Sequence, residues 1–339
     1  MDFDFSPEQY ALRDMARDLF EKESPPTRLR ELWDRKPRDP AVWRTLADVG
    51  LLGLTVPEEH GGAGGDEVDL ALVLEEAGRA ALPEPLVETV AVASPLIAEA
   101  GTEAQRQEWL PRIARGEAVV GVQLHDAPVV VDADIADLLI VERKSELHAV
   151  PSGEFRYRAV TAEDRSRRLF SVEATTSTST RMVGRSTADA EGLARGAAAT
   201  AAVLNGIAIR MLDMSVAHVK DRHQFGRPVG SFQAVQHKLA SVYVLLESSR
   251  SAAWWAAYAL ARSSPDRHIA AAVAKAHASD VAAFAGTEAL QCHGGIGFTW
   301  EHDLHLWLKR GKALEFAFGT PAEHRAAVAA RLREDAARD

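Results

Sequence analysis

Two stretches of this chain collect residue types that could hold a phosphate. Residues 220–230 read KDRHQFGRPVG, so Lys220, Arg222, His223 and Arg227 crowd a loop between two helical segments. A guanidinium such as Arg222 can take two phosphate oxygens at once, and Gly226 and Gly230 let backbone come close to a ligand. Residues 291–298 read QCHGGIGF, with the Gln291 amide beside Gly294, Gly295 and Gly297. Backbone N–H groups in such a turn can meet a ligand that a Cβ would keep away. Taken singly, each stretch also has an ordinary explanation: a solvated helix connection for the first, a glycine C-cap for the second. Other candidates are weaker. His293, His302 and His305 with Asp303 give too few ligands of good spacing for a metal. Cys292 has no His/Asp arrangement around it in sequence and reads as a small buried residue. Trp254, Trp255, Trp300 and Trp307 read as packing residues.

Composition narrows the partners. The 339 residues are 47% hydrophobic and carry a formal charge of −10, enough apolar material for a large core spread over two or three domains. So acidic a chain is a poor partner for nucleic acid or an anionic membrane surface, and an anionic ligand must be met by a local basic site. One cysteine allows no internal disulfide and fits a reducing compartment. Acidic residues follow Met1 where a secretory signal would be basic and then apolar. The most membrane-like run, Gly196–Ile209, is short and broken by Asn205, with Arg210 and Asp213 just beyond. A cytoplasmic protein is expected.

The elements that must position the two stretches follow from periodicity. Ser6, Pro7 and Gln9 predict a capped first helix, Asp39-Pro40 starts a second that Gly50 stops, and further helices are expected over 67–79 and 87–100. Thr102 with Gln105 predicts a capping box for the next, and the loop VPEEHGGAGG (56–65) breaks the series. From Ala118 to about Ser186 the pattern turns to six short β-branched runs: 119–122, 129–131, 138–141, 147–150, 155–160 and 169–172. They predict a small antiparallel unit. Long helices return over 193–219, from a Ser231 cap to Arg262, and from Ser264-Pro265-Asp266 to the HGGIG turn. Two shorter helices over 301–316 and 321–333 follow. The organisation is α+β, mainly α, with segments 1–118, 119–187 and 188–339.

Together the two stretches are specific. In sequence, spacing and flanking helices they resemble the C-terminal domain of acyl-CoA dehydrogenases, whose R-x-x-F-G and Q-x-x-G-G-x-G motifs grip the pyrophosphate of an FAD bound mainly by a neighbouring subunit. The segments FDFSPEQYALRDMARDLF (3–20), VPEEHGGAGG and GTEAQRQEWLPRIARGE (101–117) are similar to the family's N-terminal domain. The resemblance implies an N-terminal helical domain, a middle β domain and a C-terminal four-helix bundle through which tetramers form. It assigns cofactor contact to Arg222, Gln224, Phe225, Gln291, Gly294, Gly295 and Thr320. It also implies an acyl-CoA substrate and an electron-transfer flavoprotein as acceptor.

The departures matter as much. Residues 297–320 can be laid on the family's pattern without a gap, and that pattern ends in a Glu before Gly-Thr. This Glu removes the α-proton of the thioester. Here the position is Phe318, and a phenyl ring cannot take a proton. The alternative base position, on the helix before the arginine loop, is Gly196. The stretch VQLHDAPVV (122–130) stands where the family has a loop lining the flavin ring, and the β region is shorter than usual. Glu315 and Glu191 are the remaining acids that could serve, each equally readable as an ordinary surface or capping acid. The resemblance therefore implies one subunit of a heteromeric acyl-CoA dehydrogenase, like the two-gene enzymes of bacterial steroid side-chain degradation. A second, related subunit would supply base and ring pocket. A self-sufficient homotetramer using a relocated acid, and an FAD-free scaffold, stay open.

Overall fold

The computed structural model describes residues 4–34, 39–125, 127–183 and 188–337. The chain opens with helices α1 (Pro7–Glu23), α2 (Pro26–Trp33), α3 (Pro40–Asp48) and α4 (Glu67–Arg79). A π-helical segment, Val87–Ala93, runs into α5 (Ser94–Ala100), and α6 (Glu103–Ala114) completes the set. The caps act as their side chains dictate. Ser6 with Gln9, and Thr102 with Gln105, form reciprocal capping boxes, and Asp39 caps α3. Asp66 with Asp69 does the same for α4.

Six strands follow: β1 (Val120–Gln123), β2 (Val130–Val131), β3 (Leu138–Arg143), β4 (Glu146–Pro151), β5 (Phe155–Val160) and β6 (Leu169–Ala174). They make two three-stranded sheets in the orders β1-β3-β4 and β2-β6-β5. The expectation of an all-antiparallel unit is corrected at one pair. β1 runs parallel to β3, with Val120 opposite Leu138, because the chain between them leaves for the second sheet as β2 and returns. A small core of Val130, Leu139, Val141, Val150 and Phe170 fills the space between the sheets. The end of the middle segment near residue 187 lies outside the described residues.

The rest is helical: α7 (Ala188–Asp221), α8 (Gln233–Ala261), α9 (Arg267–His293), α10 (Leu304–Leu314) and α11 (Pro321–Ala336). A tight hairpin of β7 (His223–Gln224) and β8 (Arg227–Pro228) joins α7 to α8. Ser231 does not cap α8. It sits in a 3₁₀ turn with its hydroxyl donating to the Pro228 carbonyl, and Phe232 takes the cap position with no side-chain bond. α7 is long and apolar enough to cross a membrane, but 83% of its apolar window is buried among other helices, as befits a core element.

That burial rests on glycine. A Cβ on Gly78 of α4 would run into the Val203 carbonyl of α7, and one on Gly206 of α7 into the Glu75 carbonyl of α4. The two backbones are in contact. Gly206→Ala is expected to cost about 1–3 kcal/mol through this overlap. It should appear as a lower urea midpoint at unchanged slope, and an unaltered midpoint would show that the crossing is looser than described.

Candidate functional site

Phe318 and Gly196 meet. The Phe318 ring lies against the bare Cα of Gly196, so closely that any Cβ on Gly196 would overlap it. Phe318 itself is in the left-handed region (φ 52°), and Gly319 follows at φ 96°. The loop that presents them is tied down from below. Nζ of the fully buried Lys275 on α9 donates to the carbonyls of Glu315 (3.0 Å) and Gly319 (3.1 Å) and to the Ser279 hydroxyl (3.3 Å). Burial pulls the Lys275 ammonium down to about 8, against a raising influence from Glu315. The His324 Nε2–H donates to the Phe318 carbonyl at 2.9 Å. Burial also holds this histidine below its ordinary range. The Thr320 hydroxyl is committed to the N-cap of α11, accepting from the Glu323 N–H in a capping box. It sits beside Phe318, at the base end of the site.

The two remaining acids are both engaged. Glu191 is bound by Arg267 and by His268. Burial opposes its charge, but Arg267 and His268 outweigh that and hold its carboxyl below the usual range. The Glu315 carboxylate receives Lys312 Nζ at 2.7 Å.

A small, charged cavity lies between α7 and α10. Thr200, one turn along α7 from Gly196, and Leu314, one turn before Phe318, line a cavity of about 40 Å³ with Glu84, Glu88, Arg167 and Arg310. That is room for two or three water molecules at most. Ion pairs wall it: Arg310 with Asp164, Arg167 with Glu88 at 3.1 Å, Arg28 with Glu84 at 2.5 Å. Among the described residues Thr200 Oγ1 and Glu84 Oε2 are buried without partners.

The phosphate-type residues gather at the other end of α7. Arg222 follows its last residue, about 39 Å along the axis from Gly196. Its guanidinium is exposed and has no ion pair among the described residues. Gln224 and Phe225 extend into solvent on the hairpin, Phe225 at 92% exposure. Gln291, Gly294 and Gly295 are exposed on the turn that ends α9. A Cβ on Gly295 would meet nothing within 4 Å, and its φ is not positive. Neither packing nor backbone geometry within this chain requires a glycine there, which fits close approach by something outside it.

Sequence reasoning missed what joins the two motifs. His218, one turn before Arg222, stacks on His293, the residue before Gly294, with ring centroids 4.5 Å apart. His302 meets the His293 ring edge-on at 4.6 Å. The i−4 spacing from Arg222 and the adjacency to Gly294 were the available signals. His305, grouped with them in sequence, packs on Trp33 and Trp300. No group of three or more His, Cys, Asp or Glu able to hold a metal occurs among the described residues. Cys292 is half-buried, with burial pushing its thiol up.

Comparison with known proteins places this geometry. Residues 6–117 match the model described as acyl-CoA dehydrogenase, N-terminal domain, and residues 184–333 the one described as acyl-CoA dehydrogenase, C-terminal domain. The chain is 37% identical to the acyl-CoA dehydrogenase IpdE2 of Mycolicibacterium smegmatis, over 94% of this chain and 96% of that protein. A solved structure of a Tcur3481-Tcur3483 steroid ACAD variant superposes with a TM-score of 0.86 at 29% identity, covering 97% of this chain and 99% of the other. The ChsE4-ChsE5 complex from Mycobacterium tuberculosis superposes at 0.90 and 24% identity, covering 98% and 99%, a likeness of fold.

Gly295→Ala is therefore expected to leave the thermal midpoint unchanged while flavin retention falls at least about tenfold, since the added Cβ intrudes only on a ligand. Arg222→Ala should weaken retention by a similar factor through a lost charge-assisted contact of about 1.5–3 kcal/mol. Arg222→Lys should restore charge without the two-pronged geometry. Flavin content unchanged in both alanine variants would refute the clamp.

Proposed function

The chain belongs to the acyl-CoA dehydrogenase family, and from that premise we propose that it is the subunit without the catalytic base in a heteromeric, FAD-dependent acyl-CoA dehydrogenase. The observation that carries this reading is the contact of Phe318 with Gly196. Each family position for a base is occupied by the other's lack of one: the ring fills the space that the missing side chain leaves. The two acids of this chain considered for that role, Glu191 and Glu315, are held in ion pairs. The small cavity lined by Thr200 and Leu314 supports the same view. An acyl chain entering it would have to displace buried charge pairs, and breaking one such pair costs about 3–5 kcal/mol.

The clamp end has the opposite character. Arg222, Gln224, Phe225, Gln291, Gly294 and Gly295 are open to the outside, and their distance from Gly196 suits a cofactor whose ring is held by another subunit. The residues present fit FAD: a free guanidinium for the pyrophosphate, glycine backbone without obstructing side chains, and an exposed aromatic ring awaiting cover. When bound, the flavin accepts the hydride from the β-carbon of the acyl-CoA thioester. In this division of labour Arg222 binds and orients the pyrophosphate, the 294–295 turn fixes its depth, and Phe225 excludes water from the contact. The second subunit supplies the base that takes the α-proton and the pocket for ring and acyl chain. An electron-transfer flavoprotein reoxidises the complex. The steroid-related relatives support a steroid-derived acyl-CoA as substrate class.

The test is stoichiometry and rate in the purified complex. About one FAD per pair of unlike chains is expected, and a homotetramer of this chain carrying flavin at every interface would overturn the heteromer. Glu191→Gln with Glu315→Gln should retain most of the dehydrogenase rate, with stability alone suffering from the lost Arg267 pair. Removal of a true general base lowers rate by on the order of 10²–10⁴, so a drop of that size would place the base in this chain.

A further inference from the structure

The three stacked imidazoles join elements that otherwise end separately. His218 belongs to the last turn of α7, which leads into Arg222. His293 is the last residue of α9, which leads into Gly294. His302 sits two residues before α10, its Nδ1 accepting from the Leu304 N–H at 3.1 Å. The His218 and His293 planes are 26° apart, a stacked pair, while His302 meets both rings edge-on. His293 is 5% exposed. Its Nδ1–H donates to the Ala289 carbonyl at 2.8 Å, and its Nε2 is buried with no partner among the described residues. No carboxylate pairs with any of the three rings among the described residues. An uncharged stack of this kind is an apolar contact between rings, but a proton on one ring places a cation against its neighbours with no carboxylate paired to it among the described residues.

We propose that His218, His293 and His302 are positioning residues that hold the two halves of the flavin clamp at their working spacing only while the stacked pair, His218 and His293, is uncharged. The inference rests on Arg222 and the 294–295 turn gripping flavin, as proposed above. Its physical basis is a single contact. Arg222 and Gly294 each stand within one helical turn of the stack, so parting of the rings moves the guanidinium relative to the glycine N–H groups. Bidentate contact on a phosphate tolerates little such movement.

The charges around the rings agree. His218 is depressed first by its own burial and then by the nearby His302 and Arg222, with Asp221 opposing. For His293 burial again leads, opposed by the bond to Ala289 and reinforced by His302 and His218. Both histidines are thus held below the ordinary value of about 6.5 in the closed clamp. The opened clamp, with ordinary values, binds more protons than the closed one. Closure is therefore undisturbed above about pH 6.5 and is lost progressively as pH falls below it.

The experiment follows flavin release by fluorescence from the intact complex between pH 8 and 5, beside a His218→Phe/His293→Phe variant that keeps both rings but cannot titrate. Wild-type retention should weaken below about pH 6.5 by up to tenfold per pH unit for each proton taken up. The variant should keep its flavin down to pH 5. His302→Asn, whose side-chain oxygen can still accept from the Leu304 N–H, should show a shallower fall and serves if the double variant does not assemble. Histidine proton resonances assigned by these substitutions should titrate over the same window. Equal pH profiles in wild type and both variants would overturn the role of the stack while leaving the clamp intact. Flavin retained by Arg222→Ala would instead sink the clamp reading itself.

Discussion

Gly78 and Gly206 let the backbones of α4 and α7 touch, and most of what the molecule does follows from that crossing. Side chains between two helices normally hold their axes 8–10 Å apart. Here their absence draws α7 into the middle of the fold, with the N-terminal helices on one side and α8 and α9 on the other. Once buried along its length, α7 becomes a rigid bar of 34 residues. Its start carries Gly196 and Thr200, and its end leads into Arg222. The closeness of the crossing also sets charge in place. Glu75 and Glu76 on α4 cannot reach water and are met by Arg250 and Arg17, so the crossing is bracketed by buried pairs as well as by backbone contact.

The bar separates two kinds of surface. At one end chemistry has been closed off. Phe318 presses on Gly196, Lys275 and His324 tie the loop beneath it, and charge pairs wall the cavity between α7 and α10. Holding Phe318 at a positive φ costs backbone energy that these ties must outweigh. At the other end the surface is open, with an exposed guanidinium, bare glycines and an exposed phenyl ring.

How much of this was legible beforehand depended on whether the determinant was local. Caps and breaks were, because Ser6, Asp39 and Thr102 bond to N–H groups two or three residues away. Ser231 misled because its hydroxyl found the Pro228 carbonyl instead, a competition between neighbours that residue type alone does not resolve. The parallel pairing of β1 with β3 was out of reach, since six short β-branched runs look alike whichever direction their partners take. The motifs around Arg222 and Gly294 were readable because their residue types and spacing recur in a known family.

By itself, then, the sequence determined the order of elements and the family, and it put a phenyl ring at position 318 and no side chain at position 196. Each of these is a statement about which residue occupies which place along the chain. Only the tertiary structure decided that Phe318 and Gly196 fill one space, that Glu191 and Glu315 are both tied in ion pairs, and that three histidines from separate segments share a stack. Those are facts of proximity between residues up to 122 positions apart. Side-chain type says what a group can do, but only packing says what it touches, and the energies of burial and pairing exist only once it touches something.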